Sequence, residues 1–416
     1  MKEMSILADL LRTIFERNQG KSDFKNDQDE RSIIELCNTL ITTTSETSAL
    51  FVANKVLTKY SSLSDADKLS FFQYVSTQMT IDPDLVRRTL EDYEKLPSRE
   101  TYQAFSNAAE PSRQELVRRL NQPPGATKKL VEMRADLLRL AKQSPELQAF
   151  DLDFKHLFAS WFNRGFLVLR PVNWESPAHI LEKIIEYEAV HAIDSWEDLR
   201  LRLEPRDRRC FAFFHPAIPD EPLIFVEVAL TKGTPTSIQE LLSEAREEVA
   251  TEQIDTAVFY SISNCQAGLA NVSFGNFLIK QVASDLSLEL EGLKKFITLS
   301  PIPGLGNWLR KTHPNWNSDD EVGLRSLTAH YLINEKSSNN LPLDPVARFH
   351  LGNGAIVEKV HVEADNSENG KLQSLGCMVN YLYDLEQVTK NHEEFVSEGK
   401  VMASREVTNL AKSFKI

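Results

Sequence analysis

Apolar positions in residues 1–160 recur at three- and four-residue spacing, the period of helices that bury one face. Asp82-Pro83 offers a cap and a first-turn proline ahead of Leu85, Thr89, Leu90 and Tyr93. Ser112 followed by Glu115 fits a capping box before Leu116 and Leu120. Gln122-Pro123-Pro124-Gly125 breaks the chain, and a further helix follows with Leu130, Met133, Leu137 and Leu138 on one face. Few runs here are rich in β-branched or aromatic residues, so this part reads as a helical bundle. Asn18 to Glu30 is polar and reads as loop.

From about Phe162 the pattern changes. Strand-like runs occur at Phe166-Leu167-Val168-Leu169, Cys210 to Phe214, Leu223 to Leu230, Ala257 to Ile262 and Phe296 to Leu299. Helical patterns lie between them, including Pro177 to Ala189 and Ser237 to Glu248. Residues 364–371 read as a polar loop. The fold class expected is α+β: a helical domain over 1–160, then a mixed α/β domain over 161–416.

Composition narrows the function. Hydrophobic residues make up 42% and charged residues 26%, with a net charge of -13. The densest basic cluster, Arg206-Asp207-Arg208-Arg209, is interrupted by an acid, so the basic face that a nucleic acid needs is missing and none is expected as partner. The four cysteines, Cys37, Cys210, Cys265 and Cys377, form no CxxC pair. That argues against a zinc site or a disulfide framework and for a reducing compartment. No apolar run approaches the ~20 residues of a membrane span. Glu3, Asp9 and Glu16 near the start are acids that transit peptides avoid, so a cytoplasmic location is expected.

Four stretches could carry chemistry. Strand, small-residue loop and helix start succeed one another from Ala257 to Leu286, with Asn264 to Ser273 as the loop. Such a junction can hold a phosphate on backbone N–H groups, although many ordinary strand-to-helix connections look the same. Leu299-Ser300-Pro301-Ile302-Pro303-Gly304 delivers a hydroxyl into a turn stiffened by two prolines. His350 stands between Phe349 and Leu351 beside Gly352-Asn353-Gly354, with no partner carboxylate nearby in sequence. An unperturbed histidine titrates near ~6.5 and is the commonest acid–base side chain at neutral pH. Tyr381 and Tyr383, two apart, would share one face of a strand.

Taken in this order, the stretches resemble the malonyl-CoA decarboxylase family. The resemblance is carried by Phe259-Tyr260-Ser261-Ile262-Ser263, Gly275 to Lys280, Leu299 to Gly304, Phe349-His350-Leu351 with Asn353-Gly354-Ala355, and Asn380-Tyr381-Leu382-Tyr383. Glu188-Ala189-Val190-His191 and Glu221-Pro222-Leu223 also fit. It implies that the second domain is similar to the GCN5-related N-acetyltransferase fold. It implies Ser300 and His350 as the catalytic pair, with Tyr383 as a third active-site residue. It further implies that Ala270, Asn271, Val272, Ser273, Phe274, Gly275 and Asn276 face the CoA pyrophosphate. Animal members of the family carry a glutamate where this chain has Ser273, and a longer segment between the positions of Ser300 and His350.

The activity so implied is decarboxylation of malonyl-CoA through a thioester enolate, with no metal and no cofactor, CoA being part of the substrate. A CoA-dependent acyltransferase and a non-catalytic acyl-CoA-binding protein are the competing readings, because fold alone does not fix a reaction. The apolar faces of the helical domain, which shows no chemistry, suggest a homo-oligomer.

Overall fold

A computed structural model describes residues 29–141, 144–272, 278–316 and 320–414. These divide into two compact units. The first holds the described residues up to Asn163, joined by 216–218 and 266–272; the second holds the rest.

The first unit consists of helices α1 (Ile33–Thr42), α2 (Glu46–Ser61), α3 (Asp65–Gln78), α4 (Pro83–Lys95), α5 (Arg99–Ala109), α6 (Ser112–Leu120), α7 (Ala126–Leu140) and α8 (Gln148–Trp161). Phe71, Phe72, Phe150, Phe154 and Phe158 line its core, with Phe150 and Phe154 4.7 Å apart between ring centroids. Asp82 caps α4 through the N–H groups of Asp84 and Leu85, as its Asp-Pro start predicts. α6 departs from expectation. Pro111, not Ser112, is its cap residue, and Glu115 turns to Arg118 and Arg119 instead of closing a capping box. Gly125, in the left-handed region at φ 74°, begins α7, which buries Leu130, Met133 and Leu137.

The second unit is built on an eight-stranded mixed sheet. Its strands are β1 (Val168–Val172), β2 (Arg208–Phe214), β3 (Ile224–Thr231), β4 (Thr256–Asn264), β5 (Lys295–Thr298), β6 (Ser300–Pro301), β7 (Ile356–His361) and β8 (Met378–Leu382). β1 to β4 are antiparallel neighbours in chain order, and β4 and β5 run parallel. β8 then pairs antiparallel with β5, β6 and β7. Around the sheet lie α9 (Ala178–Tyr187), α10 (Trp196–Leu203), α11 (Ile238–Leu242), α12 (Leu278–Glu289), α13 (Leu305–Thr312), α14 (Glu321–Asn334), α15 (Pro345–Gly352), α16 (Glu368–Ser374), α17 (Val388–Glu398) and α18 (Arg405–Ser413). One sheet face, with Phe213, Val226, Phe259, Tyr381 and Tyr383, packs in one cluster with Ala347 and Leu351 of α15.

Two expectations fail locally. The helical pattern over Ser237 to Glu248 forms a helix only as far as Leu242, beyond which Arg246 reaches the buried Asp207. The polar segment 364–371 is only half loop: Asp365 is buried, and Ser367 caps α16. Its polarity is the signature of a cap and first turn as much as of a loop. The stretch Asn18 to Glu30 falls almost wholly outside the described residues.

Candidate active site

Ser300 leaves β5 by way of Leu299, whose N–H donates to the carbonyl of Phe259 on the parallel neighbour. Ser300 and Pro301 then pair with Val379 and Met378 of β8. The hydroxyl is thus placed by two strands and by the prolines that follow it. Gly304 ends the turn where a side chain has no room: a Cβ there would lie 2.1 Å from the Tyr331 hydroxyl.

His350 lies on α15, in the last turn before the glycine-rich exit. Asp344 caps that helix, its Oδ1 accepting from the N–H groups of Val346 and Ala347. Its Oδ2 accepts from the N–H of Gly304 at 3.1 Å. One buried carboxylate therefore ties the serine turn to the histidine helix.

The sequence-predicted residues Ser300, His350 and Tyr383 meet. Ser300 Oγ lies 3.1 Å from His350 Nε2, and His350 Nδ1 lies 2.8 Å from the Tyr383 hydroxyl. All three side chains are buried. The imidazole stacks on Tyr381 with ring centroids 4.5 Å apart at 23°. Tyr381 and Tyr383 thus share a face, and both serve His350, one by stacking and one by hydrogen bonding.

Proton positions follow from the partners. The Ser300 hydroxyl donates to Thr298 Oγ1 at 2.8 Å. A hydroxyl has one proton. Ser300 then faces His350 Nε2 with its lone pairs, an arrangement that suits a proton on Nε2 and leaves Nδ1 to the Tyr383 hydroxyl. Burial pushes the His350 pKa down to about 3, so the ring is neutral. Burial likewise raises the Tyr383 phenol well above its ordinary value. Serine, imidazole and phenol form one chain of neutral donors.

Sequence reasoning met Thr298, Asp344 and Asn380 only as members of its motifs and gave none of them a role. Thr298 stands two residues before Ser300, and Asn380 Nδ2 donates to the Thr298 carbonyl at 2.7 Å. The Asp-Pro pair that starts α15 is a readable helix start, the signal that could have found Asp344.

Ala270, Asn271 and Val272, expected at the CoA pyrophosphate, follow β4 and a single 3-10 turn over Ala267–Leu269. The N–H of Ala270 donates to Ala267 O and that of Val272 to Leu269 O, so these two groups hold the loop itself together. Asn271 has a left-handed backbone at φ 58°. Arg134 on α7 donates through Nη1 to the carbonyls of Gly268 and Ala270 at 2.6 and 3.0 Å. Ser273, Phe274, Gly275 and Asn276 lie outside the described residues.

Among the described residues, no group of three or more His, Cys, Asp or Glu side chains is placed to hold a metal ion.

Residues 80–162 match the family model of the malonyl-CoA decarboxylase N-terminal domain, and residues 165–323 and 312–415 match that of the C-terminal domain. The chain belongs to the malonyl-CoA decarboxylase family. The mitochondrial malonyl-CoA decarboxylase of the goose Anser anser anser is 35% identical, over 72% of this chain and 69% of its own. The crystal structure of malonyl-CoA decarboxylase from Rhodopseudomonas palustris is 45% identical, with a TM-score of 0.85, covering 91% of this chain and 98% of its own. That from Agrobacterium vitis is 46% identical, with the same TM-score, covering 91% and 99%. The likeness to these two structures extends over helices and sheet alike. No helix among the described residues is long and apolar enough to cross a membrane.

Proposed function

We propose that this chain decarboxylates malonyl-CoA to acetyl-CoA and carbon dioxide at Ser300 and His350, with no metal and no prosthetic group. The observation that carries this reading is the buried, neutral chain Tyr383–His350–Ser300 in a member of this family. As the carbon–carbon bond breaks, charge leaves the carboxylate and collects on the thioester oxygen. Catalysis requires that the second position be stabilised more than the first. A cation would hold the starting carboxylate; neutral donors do so less. His350 donates through Nε2–H to the thioester oxygen, as a neutral imidazole does in other enolate-forming enzymes. Ser300 holds the carboxylate by hydrogen bonding, its proton turning from Thr298 Oγ1 to the substrate as His350 Nε2–H passes from Ser300 to the thioester oxygen. The α-carbanion, a strong base, then takes its proton from the serine–histidine chain, which solvent replenishes, giving acetyl-CoA. Tyr383 keeps Nδ1 occupied, so that the histidine presents its donor at Nε2.

The CoA pyrophosphate is assigned to the loop after β4, Ala270 to Asn276, where Ala270 and Val272 use their own N–H groups in turn bonds. The second unit is assigned the acetyltransferase-like architecture, which is compatible with antiparallel β1–β4 followed by parallel β4 and β5. A cytoplasmic location accords with four unpaired, buried cysteines. Self-association through α4 and α5 belongs to the same reading, because their apolar side chains Leu85, Leu90, Leu96 and Tyr102 are exposed.

Purified protein should release carbon dioxide from malonyl-CoA and leave acetyl-CoA, at the same rate before and after exhaustive chelation. Transfer of the acyl group to an acceptor without carbon dioxide release would refute the reaction. Activity lost on chelation and restored by a divalent metal would refute its metal independence.

A further inference from the structure

Thr298 ends β5 with its side chain fully buried beneath Ser300. Its Oγ1 accepts the Ser300 hydroxyl proton at 2.8 Å and the Tyr381 N–H at 3.1 Å. Its carbonyl accepts from Asn380 Nδ2 at 2.7 Å, and Asn380 Oδ1 lies 2.5 Å from His361 Nε2. Strand pairing and two further side chains thus hold one threonine hydroxyl against the serine.

We propose that Thr298 is a positioning residue that sets the direction of the Ser300–His350–Tyr383 proton chain, so that His350 is the Nε2–H tautomer. The inference rests on the decarboxylase reading for its catalytic consequence, and on the hydrogen bonds alone for the tautomer. The Tyr381 N–H can only donate, so it fixes Thr298 Oγ1 as an acceptor on that side. The second acceptor site takes the Ser300 proton. Ser300 Oγ is left to face Nε2 with lone pairs, and only a protonated Nε2 satisfies that contact. Nδ1 is then bare and receives the Tyr383 O–H.

The reversed chain contains the same protons: Ser300 donates to Nε2, the ring proton moves to Nδ1, and Nδ1–H donates to the Tyr383 oxygen. It would require Thr298 to donate to Ser300, against the direction in which the Ser300 hydroxyl points to Thr298 Oγ1, and it turns the proton of a buried phenol away from its acceptor. It also gives the imidazole a bare nitrogen where a donor is needed. Thr298 acts only through Ser300; no contact with substrate is required of it.

The test uses the full chain with 15N-labelled histidine, the His350 signals being assigned by their loss in His350→Gln. In the wild type Nε2 should be protonated and Nδ1 not. Thr298→Val keeps the bulk but removes the acceptor. It should move the ring to the Nδ1–H form or a mixture, and lower kcat by roughly tenfold or more with little change in KM. Thr298→Ser keeps the hydroxyl and should restore both tautomer and kcat. Thr298→Ala removes the same acceptor with less crowding and stands in if the valine variant does not fold. A folded valine or alanine variant whose His350 keeps the wild-type tautomer overturns the proposal, even if its activity falls, because the effect is then structural. A wild type that shows the Nε2–H tautomer but releases no carbon dioxide leaves Thr298 as assigned and overturns the decarboxylase reading instead.

Discussion

His350 illustrates how burial decides what a residue can do. In the sequence it is a histidine expected to titrate near ~6.5. In the fold it is only 3% exposed, and burial pushes its pKa down to about 3. It is therefore a neutral donor across the working range, and the rate should show no acid limb near pH 6.5 that belongs to it. Ser300→Ala and His350→Ala should each lower kcat by about 10²–10³, the scale of losing one oxyanion donor, with KM for malonyl-CoA nearly unchanged. Steady-state rates from pH 5 to 8 would check both points. A wild-type limb near 6.5 that vanishes in His350→Ala would show that the ring does titrate there. The same burial predicts a stability effect. The unfolded histidine binds a proton below ~6.5 and the folded one does not until about 3. Its contribution is full above pH 6.5 and is lost as pH falls through that window. His350→Gln should flatten the decline of Tm with acid over the same interval. Residue identities at this site were legible only in part. Ser300, His350 and Tyr383 stood out as members of separate short motifs, but their meeting depends on β8 passing beside β5 and on α15 lying over both, which no local pattern encodes.

Elements fix how those residues are held. The Ser300 turn and α15 are far apart in the chain, yet Asp344 serves both, capping the helix with one oxygen and Gly304 with the other. β2, β3, β4 and β5 were legible because each is a run of apolar and β-branched residues bounded by turns. α15 was not, since Pro345 at its start and glycines at its end mask only eight residues of helix. The loop after β4 shows a different kind of dependence. Its residues 266–272 belong to the helical unit, and Gly268 backs onto α7 so closely that a Cβ would lie 1.8 Å from the Val131 carbonyl oxygen. Both groups at that contact are backbone, so neither can simply swing aside. Gly268→Ala should therefore destabilise the protein by about 1–3 kcal/mol and displace Ala270 and Asn271. If that loop holds the pyrophosphate, apparent KM for malonyl-CoA should rise several-fold while kcat at saturation falls little. Calorimetry and steady-state kinetics on the variant would decide. A folded variant with lowered Tm and unchanged KM would move the pyrophosphate away from this loop.

At the scale of the whole molecule, the helical unit contains a feature that its own core does not use. The Asp82-Pro83 cap and the spacing of Leu85, Thr89, Leu90 and Tyr93 predict α4, and those positions do lie on a helix; α5, which follows it, carries no such sequence expectation. The α4–α5 hairpin does not enter the core. α4 has no buried residue, and in α5 only Ala108 is buried. Tyr93 and Tyr102 meet edge to face within the hairpin, while Leu85 and Leu90 remain 42% and 38% exposed, and Leu96 and Tyr102 67% and 57%. An amphipathic hairpin with its apolar side in water fits a surface that another chain covers, and a second copy of this chain is the occupant proposed. Periodicity could reveal the apolar stripe but not what faces it, because the same spacing serves a core or an interface. Light scattering at micromolar concentration should give a mass that is a multiple of 47.3 kDa. The double variant Leu96→Glu, Tyr102→Glu places two charges on the stripe at sites exposed in the isolated chain. It should keep its helical content and fall to the mass of one chain. A wild type that is already monomeric, or a folded variant whose mass does not change, would remove self-association through this hairpin.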